Sequence, residues 1–152
     1  MPLRERIASV DRLRAWTDQI PLHYEYSAGV AGEKFLRALI KGRILSSKCA
    51  RCGRSYLPPK AYCTNCYLEI RDYVEVGPAG TVSAVTQSHV DFSGRPSKPR
   101  TFVFVTFAGV QGGIVHYAAV EGLRIGSRVR ARFKAESKRK GTLLDLEGFE
   151  KA

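Results

Sequence analysis

Ile7, Val10, Leu13, Trp16 and Ile20 recur at helical spacing among Arg4, Arg6, Arg12 and Arg14, which predicts an amphipathic helix over residues 5–20 that Pro21 ends. Residues 22–29 are polar-aromatic and read as extended. A second helix is expected over 31–41. Phe35, Leu36, Leu39 and Ile40 share one face, and Gly42 stands where a helix C-terminal glycine belongs. Beyond it the period changes to two. Residues 43–47 and 67–76 read as strands, and Gly77-Pro78-Ala79-Gly80 breaks the chain. Further strands are expected over 81–86 (running on toward His89), 101–107, 114–120, 128–134 and 142–149. Residues 91–100 (DFSGRPSKPR) read as a long loop, 109–113 as a turn and 136–141 as a basic hairpin tip. In 128–134 the alternation never slips: Val129, Ala131 and Phe133 point one way, and Arg128, Arg130, Arg132 and Lys134 the other. Phe102, Phe104 and Phe107 lie in a run apolar enough to be central and are expected to be buried.

The four cysteines lie between the two parts: Cys49-Ala50-Arg51-Cys52-Gly53, then Cys63-Thr64-Asn65-Cys66. Two residues inside each pair let both sulfurs meet one ion from a tight turn. Two such knuckles face to face make a tetrahedron of thiolates, the geometry of a closed structural zinc site. Pro58-Pro59 stiffens the connection between them. Disulfides are the alternative, and iron also accepts four thiolates, but zinc is the default where no redox partner is implied. One structural zinc ion on Cys49, Cys52, Cys63 and Cys66 is therefore expected, with no position left for water. The expected fold is mainly β with N-terminal helices: a helical arm over 1–42, a zinc ribbon over 43–76 and a five-stranded OB-fold barrel over 77–152.

Composition narrows the partners. Against 14 acidic residues stand 25 basic ones, a net charge of +11 that favours an anionic ligand such as nucleic acid or a phosphorylated small molecule. The first thirty residues are charged and carry no apolar signal-peptide core, and no stretch is long enough to span a membrane, so a cytoplasmic protein is expected. With its cysteines on metal the chain has no thiol nucleophile. His23, His89 and His116 fall in separate segments without a neighbouring catalytic motif, so no enzyme activity is expected.

In this order the parts resemble the acyl-CoA-associated family that joins a rubredoxin-like zinc ribbon to an OB-fold, domain of unknown function thirty-five. The resemblance spans about residues 16–149. It is carried by Tyr26-x-x-Gly29 with Phe35, Leu39-x-x-Gly42, Cys49-x-x-Cys52-Gly53, Pro58-Pro59-Lys60, Cys63-x-x-Cys66, Gly77-x-x-Gly80-Thr81-Val82, Ile125-Gly126 and Val129. Such proteins often place tryptophan shortly after the last cysteine, and here Tyr73 occupies that region. The resemblance implies a scaffold that bridges a thiolase (an acetyl-CoA C-acetyltransferase) and a hydroxymethylglutaryl-CoA synthase and helps bind or channel acyl-CoA. The candidate cations for coenzyme A are Arg95, Lys98, Arg100, Arg128, Arg130 and Arg132. The candidate partner-facing residues are Trp16, His23, Tyr24, Tyr26 and Phe35. The pantetheine chain would need an apolar slot, at the barrel edge or at the seam between ribbon and barrel. The alternative is single-stranded nucleic-acid binding, in which the basic strand and the tip Lys138-Arg139-Lys140 meet phosphates. A basic strand without exposed aromatics counts against it.

Overall fold

The computed structural model describes His23 and residues 25–91 and 93–152; the expected helix over 5–20, and with it Trp16, and also Tyr24, lie outside the described residues. Helix α1 (Gly29–Ile40) buries Ala31, Phe35, Ala38 and Leu39. It ends where expected, with Gly42 at φ 68° and its N–H donating to the Leu39 carbonyl at 2.9 Å. The helix end is also fastened from far along the chain. Arg139 donates from Nη1 to the Ile40 carbonyl (3.2 Å) and from Nε to the Lys134 carbonyl (2.7 Å), while its guanidinium lies over the Phe133 ring. A cation at a helix C-terminus answers its unpaired carbonyls and its dipole. The expected basic tip is thus corrected: Arg139 is committed to the fold.

Eight strands follow: β1 (Ile44–Lys48), β2 (Ser55–Leu57), β3 (Asp72–Val76), β4 (Ala79–Val90), β5 (Pro96–Thr106), β6 (Val110–Tyr117), β7 (Arg128–Phe133) and β8 (Leu146–Lys151). They form one sheet in the order β3-β1-β2-β6-β5-β4-β7-β8. The five strands β4–β8 curl into the barrel. It closes through a parallel bridge between Ala118 and Phe149, with the Ala119 N–H donating to the Phe149 carbonyl at 2.8 Å. With β6 and β8 side by side and parallel, this is the OB-fold arrangement. Val82, Val103, Val105, Ile114, Val129, Leu146 and Phe149 fill the interior, and Phe35 and Leu39 of α1 belong to the same core. The alternation in β7 holds, with Val129 and Ala131 buried and its three arginines exposed. Among the described residues no helix is long and apolar enough to cross a membrane.

The ribbon strands β1–β3 join the barrel through parallel pairing of β2 with β6, Ser55 opposite Val110 and Leu57 opposite Gly112. This joint lies inside the stretch expected to be a turn. Gly112 has φ 88°, and a Cβ there would strike the Leu57 carbonyl. A Cβ at Gly113 would strike the Val105 carbonyl. Glycine here permits close backbone approach within a sheet.

Two other expectations are corrected. The loop expected over 91–100 is short: an Asp91 carboxylate oxygen accepts the N–H groups of Ser93 (2.8 Å) and Arg95 (2.9 Å), and β5 begins at Pro96. Pro96 borders a bulge and Pro99 lies within it, where β5 carries extra residues between its pairings with Val90 and Ser88. Bulges are where a sheet tolerates proline. The strand expected from 142 starts at Leu146. Residues Leu143–Asp145 form a single 3-10 turn, with Thr142 and Asp145 capping it reciprocally.

Asp145 is buried (1% exposed) and accepts the N–H groups of Lys140, Gly141 and Thr142 at 2.6–3.1 Å. Burial raises its pKa, but these three donors, with Lys134, outweigh it and hold the carboxyl below its usual value. Asp145→Ala strands three backbone donors and should cost about 3 kcal/mol in urea unfolding. A loss near zero would contradict this role.

His116 is also buried (5% exposed), with no partner for Nδ1 among the described residues. Burial lowers its pKa and the Leu143 backbone only partly opposes this. A base whose folded pKa is depressed contributes stability above its unfolded pKa and loses it as pH falls through the folded one. Wild type should therefore lose stability as pH falls below the ordinary histidine range, and His116→Leu should flatten that slope. Parallel slopes would contradict the assignment.

Candidate functional site

The two knuckles are built alike. The Gly53 N–H donates to the Cys49 carbonyl at 2.9 Å, and the Tyr67 N–H to the Cys63 carbonyl at the same distance. Each of these closing residues is left-handed, Gly53 at φ 71° and Tyr67 at φ 56°. A tyrosine in that conformation costs roughly 1–2 kcal/mol, so the second knuckle holds Tyr67 against its own preference. The equal spacing of the two motifs points to this position, but the tyrosine hides it.

All four Sγ atoms lie within 4.8 Å of one another, with Cys49 and Cys63 buried and Cys52 and Cys66 half-buried. The thiols are unbonded, and Cys52 Sγ to Cys63 Sγ is 3.6 Å. A disulfide would bring sulfurs to about 2.05 Å, whereas zinc with Zn–S near 2.3 Å sets a tetrahedron of sulfurs about 3.8 Å apart. The donor set fits one zinc ion and fills its four positions, so the metal's work is to hold the ribbon.

The surroundings favour thiolate unevenly. The Thr64 hydroxyl donates to Tyr56 Oη (3.2 Å), leaving the buried Tyr56 hydroxyl to donate to Cys63 Sγ at 3.2 Å. The Cys66 N–H adds a contact at 3.4 Å. The Tyr56 hydroxyl, followed by the backbone donors, holds the Cys63 thiol down to about 6. The Arg54 backbone lowers the Cys52 thiol, but burial and the crowding of three cysteines prevail and push it up to about 11. Crowded thiolates repel, and a divalent cation removes that conflict. The role of Tyr56 was not legible from spacing, because a tyrosine between two motifs carries no mark of where its hydroxyl points.

The basic candidates do not form one surface. Arg130 is ion-paired to Glu150 (2.9 Å), and Arg132 to Glu147 (3.0 Å) and Glu150 (3.6 Å). Arg95, Lys98, Arg100 and Arg128 have no ion pair among the described residues. Arg128 lies opposite Thr81, and Arg100 opposite Ser88. These points are seven steps apart along β4, roughly 20 Å along a strand. Phe102 and Phe104 are corrected: they are half-buried on the outer face of β5, and only Phe107 of the three is buried. Phe102 stacks obliquely on Tyr117, 4.9 Å between centroids, and Val115 beside them is 58% exposed.

Two concavities accompany these groups. One of about 300 Å³ sits at the seam of ribbon and barrel, lined by Lys48, Val74, Val76, Phe107 and Val110 among others. The other, about 420 Å³, lies at the end of β5 and β6 beside Arg100 and Tyr117. Of the partner candidates, His23 and Tyr26 are exposed. Phe35 is corrected: it is 7% exposed within the core, so its ring is not offered to a partner.

The comparisons with known proteins agree with this geometry. A family model for the ChsH2 rubredoxin-like zinc ribbon domain matches residues 38–68. A solved protein of unknown function from the DUF35 family of Sulfolobus solfataricus is 31% identical, over 68% of this chain and 78% of that one, with a TM-score of 0.60. The Ltp2-ChsH2(DUF35) aldolase is 20% identical, over 70% of this chain and 85% of that one, with a TM-score of 0.56, and has the same fold. No curated protein matches the chain.

Metal analysis should find one zinc per chain, and a strong chelator should lower Tm by about 10 °C or more. Tyr56→Phe should keep the zinc but release it, on acid titration, roughly half a pH unit higher than wild type, because the Cys63 thiol regains its proton more readily. An unchanged release curve would remove Tyr56 from this role.

Proposed function

The chain belongs to the DUF35 family, and from that premise we propose that it is a non-catalytic accessory subunit of an acyl-CoA-processing enzyme, docking a thiolase-type acetyltransferase and bridging it to a hydroxymethylglutaryl-CoA synthase. The observation that carries the reading is the joint between ribbon and barrel. Because β2 pairs with β6, the ribbon continues the barrel's own sheet. A bridge between two enzymes needs two surfaces in a fixed relation, and one shared sheet supplies it. The Ltp2-ChsH2(DUF35) aldolase supports the reading, since its name couples a DUF35 chain with Ltp2 in an enzyme.

In this reading residues 1–42 are the docking arm, 43–76 the ribbon and 77–152 the barrel. Zinc does no chemistry. Acyl-CoA phosphates meet Arg95, Lys98 and Arg100, which have no ion pair among the described residues, and the seam cavity is the slot for the pantetheine chain. Arg130 and Arg132 are already neutralised by glutamates and drop out of the coenzyme site. The setting is the cytoplasm, where thiols stay reduced and available to zinc.

A second reading, single-stranded nucleic-acid binding, draws on one observation: Phe102, Phe104 and Tyr117 share the outer face of β5 and β6, the face that OB-folds use. Recovery of the tagged protein from its own cells at moderate salt, after nuclease, separates the two. A thiolase-type enzyme should accompany it, and Lys98→Ala with Arg100→Ala should lower coupled acyl-CoA turnover about tenfold. Nucleic acid or nucleic-acid-binding proteins in place of an acyl-CoA enzyme would overturn the proposal.

A further inference from the structure

We propose that the trench at the end of β5 and β6 is a nucleoside-phosphate subsite, taking an aromatic base, a ribose and a phosphate in that order. The trench measures about 420 Å³ and is lined by Arg100, Thr101, Tyr117, Val120 and Glu121 among others. That volume lies in the range of small-ligand pockets, which combine an apolar wall with a few placed polar groups.

Three chemistries meet there. Tyr117 is the aromatic plane. Its ring packs obliquely against Phe102, 4.9 Å between centroids, and stands perpendicular to the His116 ring at 5.2 Å. A ring already held costs little entropy when a base stacks on it. Arg100 is the cation, exposed and without an ion pair among the described residues. Its planar fork suits phosphate oxygens, and exposed Lys98 stands two residues away. Glu121 is the acid. Its carboxylate repels phosphate but accepts hydrogen bonds from sugar hydroxyls, as acidic residues do at ribose in other nucleotide sites. The base therefore lies on Tyr117, the ribose faces Glu121 and the phosphates turn toward Arg100. A bare anion would leave Tyr117 and Glu121 unused, and an acyl chain would leave Arg100 unpaired.

This deepens the acyl-CoA reading and rests on it for the source of the nucleotide. A nucleotide of a single strand has the same chemistry. The experiment is an amide NMR titration of the full, zinc-loaded chain with ADP, acetyl-CoA and a short oligothymidylate in separate arms. ADP should shift the amides of Thr101 and of residues 117–121. Arg100→Ala and Tyr117→Leu should each weaken ADP about tenfold, and Arg71→Ala should not. Should Tyr117→Leu fail to fold, Arg100→Gln and Glu121→Ala, both at exposed positions, carry the same test.

No shift at these amides at millimolar ADP, or equal affinity in the Arg100 variants, overturns the subsite. If acetyl-CoA then shifts only the seam, the subsite falls while the acyl-CoA reading stands. ADP binding in the trench without capture of any acyl-CoA enzyme does the reverse. Tighter acetyl-CoA than ADP supports the subsite and assigns its source to the coenzyme. Tighter oligothymidylate, with steep salt dependence, supports it and assigns the source to a strand.

Discussion

Four sulfurs gathered within 4.8 Å cannot all ionise unless a cation stands among them, and the ribbon depends on that condition. Its own core is slight: Tyr56 and Ile70 pack with the cysteines and with little else. A segment this short does not bury enough apolar surface to fold without a staple. Zinc is that staple, and its effect extends beyond the ribbon. The knuckles fix the ends of β2, β2 pairs in parallel with β6, and β6 enters the barrel. Gly112 and Gly113 allow the approach because each faces a carbonyl where a Cβ would sit.

The electrostatics redistribute a charge that composition reports only as a sum. The net +11 suggests a basic protein throughout, yet β8 answers β7 with Glu147 and Glu150, and Arg139 is bound to backbone carbonyls. Positive charge without an ion pair among the described residues also stands near the start of β5, on Arg95, Lys98 and Arg100. There it adjoins the two half-buried phenylalanines, Tyr117 and the trench. In the basic strand that stands out in the sequence two of the four cations are paired with glutamates, and the less regular stretch around Arg100 is the better candidate for anions.

The elements legible in the sequence were those with a strict period or spacing. The paired Cys-x-x-Cys motifs identified the metal centre, and the alternation of 128–134 described β7 with its buried face. Helix α1 lay within two residues of the expected span. The misreadings have physical causes. Two prolines concealed the start of β5 because they sit at a bulge. A glycine pair inside β6 looked like a turn because close approach and reversal use the same residue. Phe102 and Phe104 share a strand with buried Val103 and Val105, and an apolar run does not disclose which alternate face is wet. The long-range contacts of Arg139 and of the Tyr56 hydroxyl depend on the assembled fold and carry no local pattern.

The most direct test of the account is the affinity of the chain for the thiolase-type enzyme proposed as its partner, measured by titration calorimetry before and after zinc is chelated. If the metal-held ribbon and the barrel dock as one body, removing zinc should weaken binding at least about tenfold, and restoring zinc should recover it. Equal affinity with and without the metal would contradict the central claim and leave the ribbon no part in holding the partner.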